Sequence, residues 1–167
     1  MYAVRSAQDG APFRVLEFLR RHDAEEQEHL RLFETMMGHR ALERPALPHL
    51  PKQWHARAVH LLGYEILGLE FAKLLVPLRP DLAHILADEE THVGFFENEV
   101  RTLLAPGRGP AVGAREYARA WIRRLPKTLD RYLRGEELDP FREGLREDIL
   151  GAVEARFRGL GLVTNRV

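Results

Sequence analysis

Apolar residues recur along most of this chain at alternating steps of three and four, the spacing of one helical face, and nowhere at the strict alternation of a half-buried strand. The first predicted helix covers residues 12–38, opened by Pro12, which suits a first turn, and stopped by Gly38. Its inward stripe reads Phe13, Leu16, Leu19, Asp23, Glu26, Leu30, Phe33 and Met37, so two acids interrupt it. Residues 39–53 carry three prolines and no period, which predicts a long connection. At about 3.3 Å per residue it is long enough to run the length of a bundle. A second helix over 54–76 places Trp54, Ala58, Leu61, Glu65, Leu69, Ala72 and Leu75 on one face and is apolar nearly all round, the mark of a buried helix. Pro77 and Pro80 bracket a tight turn. The third helix, 81–104, has the stripe Leu82, Ile85, Glu89, Val93, Phe96, Val100 and Leu103, again with an acid among hydrophobes. Beyond a loop at 105–114, helices over 114–134 and 139–159 form a hairpin. The pattern predicts an all-α fold in a single domain, 1–167: a helical bundle over 12–104 with an additional C-terminal helical hairpin over 114–159.

Composition narrows the chemistry. The 167 residues include no cysteine, which excludes disulfides, thiolate zinc sites, iron–sulfur clusters and cysteine nucleophiles. The only serine is Ser6, which argues against a serine hydrolase. Twenty-five basic and 25 acidic residues balance, so no overall field draws the chain to nucleic acid or to an anionic membrane. The first ten residues lack the apolar core of a signal peptide, and the most apolar stretch, 55–78, is interrupted by Arg57, Glu65, Glu70 and Lys73. These features predict a cytoplasmic protein with no membrane segment. The glycine string in 105–114 follows a helix rather than a strand, so it lacks the context of a phosphate-binding loop.

Candidate chemistry lies where acids break the apolar stripes. Glu26 and His29 form Glu-x-x-His in the first helix, and Glu89 and His92 repeat it in the third. Residues three apart share a helical face, so each pair is able to present a carboxylate and an imidazole to one metal ion. Carboxylate with imidazole and without thiolate suits iron or manganese, and zinc less exclusively. Glu65 stands ten residues before Leu75 and Glu89 nine after Pro80, which puts both roughly 14 to 15 Å from the turn between them. Glu70 would stand roughly 7 to 8 Å from it, so Glu65 is preferred and Glu70 is the reserve. His22 and Asp23, one turn before Glu26, either orient ligands or face solvent. Tyr64 is placed in the core or beside the site. His39, His49, His55, His60 and His84 fit no ligand spacing.

Two Glu-x-x-His motifs on separate helices, either side of a helix bearing a single Glu, resemble the ferritin-like di-iron carboxylate superfamily of rubrerythrins, bacterioferritins, ribonucleotide reductase small subunits and di-iron hydroxylases. The likeness covers residues 12–104. It implies a dinuclear iron or iron–manganese centre in which Glu26 and Glu89 bridge, His29 and His92 each cap one ion, and Glu65 is a terminal ligand. The activity it implies is oxidoreduction with O2 or peroxide, and the alternative is ferroxidase chemistry in iron handling. Electrons would come from an external donor, since there is no cysteine for a rubredoxin-like domain. Such families carry a further Glu-bearing helix before the first motif, and this chain has only a dozen residues there. The C-terminal hairpin, through Phe141, Leu145, Ile149, Ala152, Phe157 and Asp148, or a second subunit in a homodimer, is expected to take its place. A metal-free structural bundle is the competing class.

Residues 115–134 hold seven basic and two acidic residues, a balance of +5, and 136–154 hold seven acidic and two basic, a balance of −5. The expectation is that Arg115, Arg119, Arg123, Lys127 and Arg131 neutralise the acidic helix, within the chain or across subunits, rather than bind nucleic acid.

Overall fold

The computed structural model describes residues 11–38, 50–106 and 109–164. Among these, five helices follow one another with no strand: α1 Phe13–Met37, α2 Trp54–Leu75, α3 Ala83–Leu104, α4 Pro110–Tyr132 and α5 Arg142–Gly159. Single 3-10 turns, Pro80–Leu82 and Glu136–Leu138, precede α3 and α5. The protein is thus an all-α helical bundle. None of the described helices is long and apolar enough to cross a membrane. The chain divides into two compact units, with the boundary between Arg57 and Ala58.

In the first unit, α1 begins after Pro12, whose φ of −56° is already helical, and stops at Gly38, whose φ of 70° only glycine adopts freely. Its buried face is Val15, Phe18, Leu19, His22 and His29, while Phe13 is 75% and Met37 53% exposed. This corrects the expected stripe by about one residue: His22 replaces Asp23, and His29 replaces Leu30. Leu19, Glu26 and Phe33 belong to both registers, so the sequence admitted either. In the first turn of α2, the buried Arg57 donates back from Nε and Nη2 to the Pro51 carbonyl at 3.0 and 2.7 Å, and from Nη2 to the Lys52 carbonyl at 3.1 Å. A guanidinium therefore satisfies the carbonyls of the segment entering the helix.

The second unit is a set of four helices of alternating direction. α2 buries Ala58, Val59, Leu61, Leu62, Ile66, Leu67, Leu69 and Ala72, residues spread all round its axis. It turns at Leu75, whose carbonyl accepts from the N–H groups of Leu78 and Arg79. α3 returns with Ile85, Glu89, Val93, Phe96 and Val100 buried, as its period requires. α4 then runs in the direction of α2. Successive contacts fix this: His60 on Tyr117, Gly63 under Trp121, and Phe71 on Tyr132. α5 runs back along α4, since Trp121 meets Phe157 at 5.6 Å between ring centroids and Asp130 meets Arg146 at 3.0 Å. Arg156 also binds Glu97 of α3 at 2.9 Å.

The hairpin differs from expectation in three respects. α4 starts four residues early, because Pro110 needs no hydrogen-bond acceptor at the first helical position. α5 buries Ile149, Val153 and Phe157, leaving Phe141 64% exposed and Asp148 exposed, so Asp148 supplies no inward carboxylate. The ion pair between the two helices has the opposite polarity, acid on α4 and base on α5. α5 turns Ile149, Val153 and Phe157 inward, while Glu143, Glu147 and Asp148 are exposed. Among the described residues, Arg119, Arg123, Lys127 and Arg131 form no ion pair with the acids of α5.

Gly63 packs closely against α4. A Cβ there would lie 2.5 Å from two carbons of the Trp121 ring, which is itself packed on Tyr64 and Phe157. Gly63→Ala is therefore expected to destabilise the protein by about 1 to 3 kcal/mol despite alanine's better helix propensity. Urea denaturation reads this directly, and a variant as stable as wild type would contradict the packing.

Candidate metal centre

In the first unit, α1 places three candidate ligands on neighbouring turns. Glu26 Oε1 lies 3.7 Å from His29 Nδ1 and 4.0 Å from His22 Nε2. Both imidazoles are buried, His29 at 6% and His22 at 2% exposure, whereas the Glu26 side chain keeps 41%. Spacings of four and three residues produce this, because i−4 and i+3 both fall on the face of residue i. His22 was read in the sequence as either orienting ligands or facing solvent. Its burial beside Glu26 makes it a donor of the same standing as His29, and the signal available was the i, i+4 spacing. Asp23 is half-buried.

In the second unit, Glu65, Glu89 and His92 are all buried, at 7%, 7% and 0% exposure. Glu65 Oε2 lies 3.4 Å from His92 Nδ1. That is longer than an N–H···O hydrogen bond, about 2.7 to 3.2 Å. It suits two donors on one ion, which at metal–ligand distances near 2.1 Å stand about 3.0 to 3.4 Å apart. Glu89 reaches a different point of α2. Its carboxylate lies over Gly68, where an added Cβ would stand 2.6 Å from Oε2 and 2.9 Å from Cδ. Thus Glu65 is level with His92, and Glu89 with Gly68, a turn nearer the α2–α3 turn than the helix-rise arithmetic placed it. The glycine opens space for a carboxylate between two helices, a feature no stripe analysis detects. Glu70 instead pairs with Lys73 Nζ at 2.7 Å.

Carrying carboxylates and imidazoles into a core is costly unless their charge is matched. Glu99, one heptad after His92, is also buried, at 5% exposure, and the sequence pattern gave no notice of it. The donors of both units are oxygen and imidazole nitrogen with no sulfur, which suits iron or manganese by ligand type.

Of the histidines that fit no ligand spacing, His60 is buried and its Nδ1 is 2.8 Å from the Tyr117 hydroxyl. His55 is half-buried, His84 is exposed with Nδ1 3.1 Å from the Asp81 carbonyl, and His39 and His49 lie outside the described residues. Tyr64 packs between His60 and Trp121. Burial raises the Tyr117 phenol above its ordinary value, with the Arg124 guanidinium opposing it, and burial likewise raises Tyr64, helped by Tyr132. A raised phenol loses its proton in the unfolded chain first, so its contribution to stability is present below the unfolded value, about 10, and is lost as pH rises through the folded one. Alkaline absorbance titration of wild type minus Tyr117→Phe is expected to show a phenol ionising above that value. A difference titration centred at or below it contradicts the burial.

No family model matches the chain, and neither a curated protein nor a solved structure does.

Proposed function

We propose that this chain is a ferritin-like metal–carboxylate protein, an oxidoreductase that uses a non-haem iron or iron–manganese centre with O2 or peroxide. Glu26, His29, Glu65, Glu89 and His92 are its ligands in this proposal. The observation that carries it is the buried Glu65, Glu89 and His92 on facing turns of α2 and α3, with Glu65 and His92 at a ligand-to-ligand spacing. The repeated Glu-x-x-His spacing and the thiolate-free composition support the same assignment. Iron in such a set supplies one-electron chemistry toward dioxygen or peroxide. The chain's own residues would hold the metal, and Gly68 leaves the space in which Glu89 is set. His22 is proposed as a further donor or as the group that orients Glu26. An external electron donor completes the redox cycle, and a homodimer is the alternative to the hairpin as cover for the apolar faces.

The test is anaerobic addition of Fe(II) to metal-free protein followed by oxygen. Fe(II) oxidation faster than in buffer, lost in Glu89→Ala, supports the proposal, and oxidation at the buffer rate sinks its redox part. Light scattering separates the ferroxidase alternative, since iron storage demands a large symmetric shell and an enzyme does not. Chelation supplies a further prediction. A ligand bound only by the folded state stabilises it by about 2.7 kcal/mol at a hundredfold excess over Kd. Metal removal is therefore expected to lower Tm by several degrees, about 2 to 4 °C per kcal/mol for a chain of this size. An unchanged Tm by calorimetry favours the metal-free bundle.

A further inference from the structure

A groove of about 990 Å³ runs between α4 and α5, away from the residues assigned to metal. Arg119, Ile122, Arg123 and Pro126 form one wall at successive helical spacings, and Leu150, Glu154 and Arg158 form the other. Val163 and Thr164 complete the lining. Their position is built in: Gly161, with φ of 73°, reverses the chain after α5, and the Leu162 N–H returns to the Phe157 carbonyl at 3.0 Å. Arg115 Nε then holds the Gly161 carbonyl at 3.0 Å.

The groove carries three guanidinium groups and one carboxylate. Glu154 is taken by Arg158 at 3.6 Å, while Arg119 and Arg123 form no ion pair among the described residues. Two neighbouring cations are thus left beside the apolar side chains of Ile122, Pro126, Leu150 and Val163 in the same lining. Guanidinium forks match carboxylate and phosphate oxygens in pairs, and a concave, largely apolar site with a few convergent polar groups is the usual form of a small-molecule pocket, about 300 to 1,000 Å³. We propose that this groove binds a small anionic amphiphile, its carboxylate or phosphate head on Arg119 and Arg123 and its aliphatic chain along Ile122, Pro126, Leu150 and Val163. Nucleic acid fits less well: the lining holds no aromatic ring on which a base would stack, and Glu154 adds a carboxylate to it. This inference is independent of the metal assignment.

The experiment is calorimetric titration of the full chain with decanoate, decyl phosphate, decanol and inorganic phosphate, each below its aggregation concentration. One or both anionic amphiphiles are expected to bind one per chain, and decanol and inorganic phosphate at least about tenfold more weakly. Arg119→Gln/Arg123→Gln should weaken the amphiphile by about tenfold or more, with wild-type melting because both side chains are exposed. Arg158→Gln is a second variant, expected to weaken it less. Carboxylate and phosphate arms identify the head group. No binding of either anion, equal binding of decanol or of inorganic phosphate, or wild-type binding in the double variant overturns the proposal. So does an RNA oligomer that binds through the same arginines while the amphiphiles do not.

Discussion

Gly68→Ala is expected to keep the fold and to weaken the proposed metal binding. The added Cβ would stand 2.6 Å from Glu89 Oε2, and ordinary contact begins at 3.4 Å, so the carboxylate must withdraw. What it meets is the end of a flexible side chain and not backbone, so the helix pays little. Alanine within a helix is favoured over glycine by about 1 kcal/mol, which offsets much of the crowding. A ligand set, by contrast, tolerates displacement of only about 0.5 Å. Substitutions that misplace ligands without removing them typically cost about 10- to 100-fold in metal affinity. Competition with a chromophoric chelator measures this, with thermal melting as the control for folding. Glu89→Ala, which removes the donor itself, should lose at least as much. A Gly68→Ala protein with wild-type metal affinity would show that the Glu89 carboxylate is not where the metal needs it.

The largest effect on stability is expected from Phe157→Ala. Phe157 is fully buried near the end of α5, with its ring 5.6 Å from that of Trp121, which in turn covers Gly63 of α2. This stack joins α2, α4 and α5. Removing a buried phenyl ring loses its transfer free energy and leaves a cavity, together about 3 to 5 kcal/mol. That is a large part of a typical stability of about 5 to 15 kcal/mol. Urea denaturation should show a lower midpoint with an unchanged slope. A loss below about 1 kcal/mol would mean that the stack closes over the gap, and would contradict its role as the joint of the second unit.

The sequence disclosed helix type and order with little ambiguity, because periods of three and four persist over five long segments. α3 is the clearest instance: every residue from Leu82 to Val100 on its predicted stripe is buried, Glu89 included. α1 was legible in extent but not in rotation, since Phe13 and Leu16 compete with Val15 and Phe18 for the inward face, and only packing chooses between them. In the hairpin, net charge was a poor guide. Charges of opposite sign on adjacent helices attract weakly across solvent, whereas Ile149, Val153 and Phe157 gain far more by meeting α4. The site shows the same division. Spacing within one helix was readable, so Glu26 with His29 and Glu89 with His92 stood out. Pairings across helices were not: the 3.4 Å approach of Glu65 to His92 and the space over Gly68 depend on how α2 and α3 slide against each other.

Metal content tests the central claim most directly. Protein from iron-supplemented cells, analysed by mass spectrometry of its metals, is expected to hold about one to two iron or manganese ions per chain. Glu26→Ala and Glu89→Ala, purified in parallel and folded by circular dichroism, should each lose most of it. Full retention in both variants, or a wild-type protein that carries no metal and takes up no Fe(II) under anaerobic titration, would contradict the assignment.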